Sequence, residues 1–174
     1  MTLIRILLVI ALVALFAAPA AALEVGERAP DFSLPDVNGK VHTLGSFGKR
    51  IVAIWYEGKN SFHQNTWLNA RLRALRDAGQ LSYQNYQPMG IANYQETAVP
   101  NAVIDLLIGR ESRRLGSLVL CDRTGVMMRT WGFRNGRSNI FVLDAERRLV
   151  WKSSGPLERR RAQQFIRFLQ RSIR

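Results

Sequence analysis

The chain has 174 residues, of which 47% are hydrophobic, and a formal net charge of +12, enough for one domain that buries roughly two thirds of its unfolded surface. A single cysteine, Cys121, excludes an internal disulfide and therefore an intramolecular dithiol redox cycle. The charge is one-sided: residues 24–109 balance eight Lys/Arg against eight Asp/Glu, whereas residues 110–174 set sixteen against five.

The first residues read as an export signal. Arg5 supplies the positive start, residues 6–16 the apolar core, and Ala20, Ala21 and Ala22 a small-residue cleavage site before Leu23. Residues 1–22 are read as a signal peptide, residues 23–174 as a single domain, and the periplasm as the destination. The alternative is an inner-membrane anchor, because residues 6–23 carry no charge and are just long enough to span. That uncleaved segment is the only membrane contact expected.

Residues 24–44 predict a small hairpin, with Phe32 and Leu34 in one arm, Val41 and Leu44 in the other, and Asp36-Val37-Asn38-Gly39 as the turn. His42 in the second arm reads as an exposed strand residue. Residues 51–56 are an unbroken apolar run, as expected of a strand covered on both faces. Gly58 ends the run, Asn60 and Ser61 are candidate helix caps, and residues 66–77 repeat their apolar positions (Trp67, Leu68, Leu72, Leu75) at helical spacing.

Residues 81–87 read as a loop holding Tyr83 and Tyr86, and residues 88–94 as a second strand. Residues 99–113 form a helix with Pro100 in its first turn and Val103, Ile104, Leu107 and Ile108 facing inward. Residues 117–122 give a third strand, residues 126–131 a short helix and residues 132–136 a loop. Residues 140–143 and 149–152 flank a turn as an antiparallel hairpin. Residues 157–174 place Ala162, Phe165, Ile166, Leu169 and Ile173 on one face and arginines around the rest, an amphipathic helix expected to cover the sheet of its own domain, with lying on a membrane as the alternative. The alternation of strands and helices predicts the α/β class, with a central mixed sheet flanked by helices and an extra N-terminal hairpin.

On these residues the chain resembles a known family. Gly26–Lys40 (GERAPDFSLPDVNGK) is similar to the opening of the redoxin (AhpC/TSA, TlpA-like) branch of the thioredoxin superfamily. Residues 51–55, 118–122, 131–132 and 140–144 resemble that branch's core strands and the turn between them. The resemblance implies a thioredoxin-like fold. In active members the first core strand is followed by Cys-x-x-Cys or by one peroxidatic cysteine. Aligned on Ile54-Trp55, those positions fall at Lys59 and Phe62, and the cis-proline that faces the thiols falls at Ser138. A lysine ammonium cannot enter thiol–disulfide exchange, and its charge opposes a helix N-terminus. Residues 58–61, 84–93, 121–131 and 138–151 bring a closer resemblance to the YtfJ-type family of small periplasmic thioredoxin-like proteins lacking the redox motif.

The expected function is therefore a non-catalytic binding or accessory protein of the cell envelope. A groove rimmed by Glu57, Lys59, Asn60, Ser61, Gly136 and Ser138 would take an envelope protein or peptide. The alternative is an atypical thiol oxidoreductase or peroxidase using Cys121 alone. Against it, Asp122 beside Cys121 raises rather than lowers a thiol pKa. Lys59, Asn60 and Ser61 at a helix start also offer an anion site or, more simply, a cap. Ser61 and His63 lack a third group to orient the imidazole as in a hydrolase. His63, Glu57 and His42 match no metal-ligand spacing, so neither metal nor cofactor is expected. The basic residues 110–174 read as a solvated face, or as a contact for acidic partners or anionic surfaces. They contain no nucleic-acid motif, so nucleic acid is not expected.

Overall fold

The computed structural model describes residues 22–173. Residues 1–21 of the expected signal peptide, and all but the last two residues of the alternative anchor, lie outside them. The order is β1 (Leu34–Pro35), β2 (Val41–His42), β3 (Ile51–Glu57), α1 (Thr66–Asp77), β4 (Tyr86–Asn93), α2 (Asn101–Leu115), β5 (Leu118–Asp122), α3 (Val126–Trp131), β6 (Asn139–Leu143), β7 (Leu149–Ser154) and α4 (Arg159–Ser172). Five strands form one mixed sheet in the order β5-β4-β3-β6-β7, and β1 and β2 pair separately as the N-terminal hairpin.

The apolar run of β3 explains its central place. Val52 to Tyr56 are all buried, with parallel β4 on one side and antiparallel β6 on the other. Alternate side chains feed two separate cores. Val52, Ile54 and Tyr56 meet the hairpin residues Phe32, Leu34 and Leu44, together with Met127 and Trp131 of α3. Ala53 and Trp55 meet Leu68, Leu72 and Leu75 of α1 and Phe165, Ile166 and Leu169 of α4. Each large side chain buried in this way contributes about 1.5–3 kcal/mol, so α4 is held by its apolar stripe.

Two inferred orientations are corrected. His42 is buried, because the hairpin phase turns Val41 to solvent and His42 inward. There its Nε2 lies 3.2 Å from Asp36 Oδ2 and its ring stacks on Phe47. Helix α2 was expected to bury Val103 and Leu107, yet both are exposed, at 45% and 57%, together with Leu106. This helix lies beside the edge strand β5, where too little sheet extends beneath it to cover a full apolar stripe. Two boundaries also move: β4 starts at Tyr86 and α2 at Asn101, with Pro100 just ahead of it.

Candidate functional site

Parallel pairing brings the carboxyl ends of β3 and β4 together, with Glu57 in register with Ala92. The turn after β3, the turn after β4 and the loop before β6 meet there. Such strand ends are where open α/β sheets place ligands.

The expected site positions do converge here, but not at one depth. Lys59 and Asn60 are exposed, Glu57 and Gly136 are half-buried, and Ser61 and Ser138 are fully buried. The two serines therefore hold the rim from beneath. Phe62 is 62% exposed and carries the His63 ring edge-on at 5.4 Å. His42 sits on the hairpin with Asp36 and is not joined to His63 and Glu57.

Asn60 and Ser61 do not cap α1. The helix starts at Thr66, after Asn65. The Gly58 backbone N–H donates to Ser61 Oγ at 2.9 Å, and the N–H groups of Ser61 and Phe62 both donate to the Gly58 carbonyl at 3.1 Å. Local side-chain-to-backbone bonding thus captures this stretch as a tight turn before the helix can begin. Lys59, Asn60 and Ser61 consequently do not stand at a helix N-terminus.

Below the turn runs a hydrogen-bond network that no local sequence signal marks. The Ser138 hydroxyl donates to the Glu57 carboxylate. Asn65 Nδ2 donates to Ser138 Oγ at 2.9 Å and to the Gly155 carbonyl at 3.3 Å, while Asn65 Oδ1 accepts from Leu157 N at 2.8 Å. Gln64 grips the same loop by its backbone: its Oε1 accepts from Ser138 N at 3.0 Å, and its Nε2 donates to the Gly136 carbonyl at 2.9 Å. Glu96, from the turn after β4, accepts from Gly136 N at 2.8 Å and from Asn60 N at 3.1 Å. Gly58 is required by this close approach, since a Cβ there would lie 2.4 Å from Glu96 Cδ.

Burial pushes the Glu57 carboxyl up to about 7, with the Ser138 hydroxyl working against the rise and the nearby Glu96 charge adding to it. A group that exchanges its proton near neutrality thus lies at the end of β3. Its oxygen is already occupied by a buried hydroxyl.

Cys121 lies elsewhere. It pairs with Ala92, which pairs with Glu57, so the thiol is two strands from Glu57, about 10 Å at the usual strand spacing. It is 1% exposed, and burial raises its pKa against the opposing effects of the Tyr94 hydroxyl and Arg123. Tyr94 Oη lies 3.2 Å from the sulfur and donates to Asp105, which Arg123 holds through two contacts of 2.8 Å. Asp122 turns away from the thiol. It accepts from the N–H groups of Val126 and Met127 at 2.9 and 3.0 Å, and from the Tyr56 hydroxyl at 3.1 Å.

Sequence reasoning missed Gln64, Asn65 and Glu96. The place of Gln64 and Asn65, directly after the expected rim, was a clue. For Glu96, only the β3–β4 register brings it within reach of Asn60.

No protein-family model matches the chain. Over its full length, and that of the relative, it is 26% identical to the uncharacterized protein YtfJ of Escherichia coli (strain K12). Among solved structures, a thiol:disulfide interchange protein DsbE from Chlorobium tepidum superposes with a TM-score of 0.61 at 16% identity, covering 86% of this chain and 99% of that one. The peroxidoxin BcpB from Mycobacterium tuberculosis gives 0.63 at 20% identity over 87% and 99%. A hypothetical protein from Sinorhizobium meliloti 1021 gives 0.59 at 24% identity over 76% and 72%. The fold is thus that of the thioredoxin-like redoxins, and along its whole length the chain is similar to YtfJ.

Proposed function

We propose that this is an exported, non-catalytic binding protein of the cell envelope. A partner protein or peptide is taken at the end of β3, where related folds carry their thiols. The observation that carries this reading is that the positions aligned with a thiol site hold no sulfur: an exposed lysine and phenylalanine stand on one side, and a buried serine that fastens loops on the other. Lys59 and Phe62 stand in the first turn, and Ser138 is fully buried and engaged by Glu57, Asn65 and Gln64. The solvent-facing groups are Lys59, Asn60, Phe62 and His63, a cationic and aromatic patch on a rigid base. An exposed aromatic beside a charge is the kind of anchor that binding surfaces use. Export, with the periplasm as destination, is supported by the signal-like residues 1–22.

Thiol chemistry at Cys121 has a specific burden to meet. The sulfur is buried and its pKa is raised, so both the thiolate and access to it are disfavoured. Insulin-disulfide reduction and hydroperoxide consumption by the purified chain test the reading directly. No turnover above that of Cys121→Ala is expected, and sustained turnover that disappears in this variant would overturn it. In the binding assay, a partner captured by the native chain is expected to be lost with Lys59→Glu/Phe62→Ala. Undiminished capture by that variant would remove the patch from the proposal.

A further inference from the structure

Helix α4 covers the sheet with only one face. Ala162, Phe165, Ile166 and Leu169 are buried, whereas Arg160, Gln164, Arg167 and Arg171, spaced i, i+4, i+7 and i+11, form an exposed stripe on the other side. Beside it, α1 turns Trp67, Ala70, Arg71 and Ala74 outward, also at helical spacing. A shallow cleft of about 430 Å³ runs between the two helices, lined by Trp67, Arg71, Gln163, Ile166 and Arg167. The Arg159 guanidinium lies 5.4 Å from the centroid of the half-exposed Trp67 ring. Among the described residues, no carboxylate forms an ion pair with Arg71, Arg159, Arg160, Arg167 or Arg171. The acids of these helices stand at their ends, Asp77 closing α1 and Glu158 just before α4.

We propose that this two-helix face seats the domain on an anionic phospholipid bilayer. Four of these guanidiniums lie along a helix about 21 Å long, with Arg71 across the cleft from them, mostly within one or two Debye lengths of each other. Their mutual repulsion is relieved by a surface that is uniformly negative, as an anionic leaflet is. A half-exposed tryptophan at the level of the charges matches the headgroup layer, where such rings accumulate. A protein partner is less well matched, because interface centres are depleted of charge rather than filled with one sign. Single-stranded nucleic acid needs a series of stacking rings, and this face offers only Trp67. The apolar side of α4 is already occupied by the sheet, so the contact is made by charge at the surface, without insertion. The inference does not rest on the binding patch at the end of β3 and survives if that patch fails.

The test is co-sedimentation of the full chain with vesicles of pure phosphatidylcholine or of phosphatidylcholine with roughly 30% phosphatidylglycerol. The stretch before residue 22 is common to the native and variant chains, so the readout is how the ratio of the two partition coefficients changes between them. That ratio is expected to favour the anionic vesicles and to fall on the order of a hundredfold in Arg160→Gln/Arg167→Gln/Arg171→Gln. It should also collapse in high salt. These side chains are exposed and unpaired, so the variant's melting temperature should be unchanged. The corresponding triple lysine variant should keep the binding, because a bilayer reads charge and not guanidinium geometry. Equal partitioning to both vesicles, or a ratio unaffected by the glutamines, would overturn the proposal. So would binding that survives only with arginine and is matched by glycerol phosphate alone, which marks a discrete anion pocket. Retention on polyglutamate, lost in the glutamine variant, without anionic-vesicle binding would instead assign the face to an acidic polypeptide.

Discussion

Two polar clusters lie at the same end of the sheet, two strands apart, and they use their groups in opposite ways. At the end of β3, Glu57, Gln64, Asn65, Glu96 and Ser138 contain no sulfur and fasten three loops distant in sequence. At the end of β5, Tyr94, Asp105 and Arg123 surround the chain's only thiol and tie it to α2. The first cluster lies beneath the exposed Lys59 and Asn60. The second buries the sulfur, and that burial disfavours a thiolate. At the end of β3 the hydrogen bonds hold the three loops in place.

The comparison is broken most sharply by removing Asn65, which is almost fully buried and bonded at both ends of its amide. Asn65→Ala leaves Leu157 N without its partner and removes one donor each from Ser138 and Gly155. It should cost about 3 kcal/mol, read as a lower urea midpoint.

Glu57→Gln should have a smaller effect that depends on pH. The Glu57 carboxyl rises from 4.5 to about 7 on folding, so the native state holds the proton more tightly than the unfolded chain. Its contribution is fully present below the unfolded pKa and is lost as pH rises through about 7. The native chain should therefore lose at most about 3 kcal/mol of stability across that window, less as solvent around the half-buried carboxyl screens it. Glutamine, which still accepts from Ser138, should flatten that part of the profile. A parallel profile in the two proteins would mean that Glu57 ionises as freely folded as unfolded.

The smallest change is expected at the other cluster. Cys121→Ala should cost about 1 kcal/mol, and the native thiol should react with an aromatic disulfide reagent only after urea is added. Rapid labelling of the folded protein would show that the sulfur is not shielded and would reopen the thiol reading.

Much of the fold was legible in the residues. The 51–56 run, the hairpin turn at Asp36–Gly39, α1 from Thr66 to Asp77 and α3 from Val126 to Trp131 each follow from periodicity and turn chemistry that act over a few residues. On α4 the expected Ala162, Phe165, Ile166 and Leu169 are buried, since a strong period leaves one face to bury, while Ile173, just past the helix, is only partly buried. The inward face of α2 could not be read in the same way. Its apolar positions repeat well enough, but whether they are covered depends on how far the sheet extends, and β5 is an edge.

For the site, the sequence pointed to Lys59, Phe62 and Ser138, which the fold gathers at the end of β3, and to Cys121 as the lone thiol. It could not tell that Ser138 and Ser61 lie under the surface, or that Asn65 bonds to Ser138 and Leu157 rather than capping α1.

Sequence by itself determined the strand and helix order, the one-sided charge and the absence of any second thiol, because composition and short-range pattern are properties of the chain alone. Tertiary structure decided which carboxylates meet, how deep each serine sits and which arginines share a face. Those follow from strand register and helix packing, which bring Glu96 to Asn60 and Arg71 to Arg167 across intervals that no local preference spans.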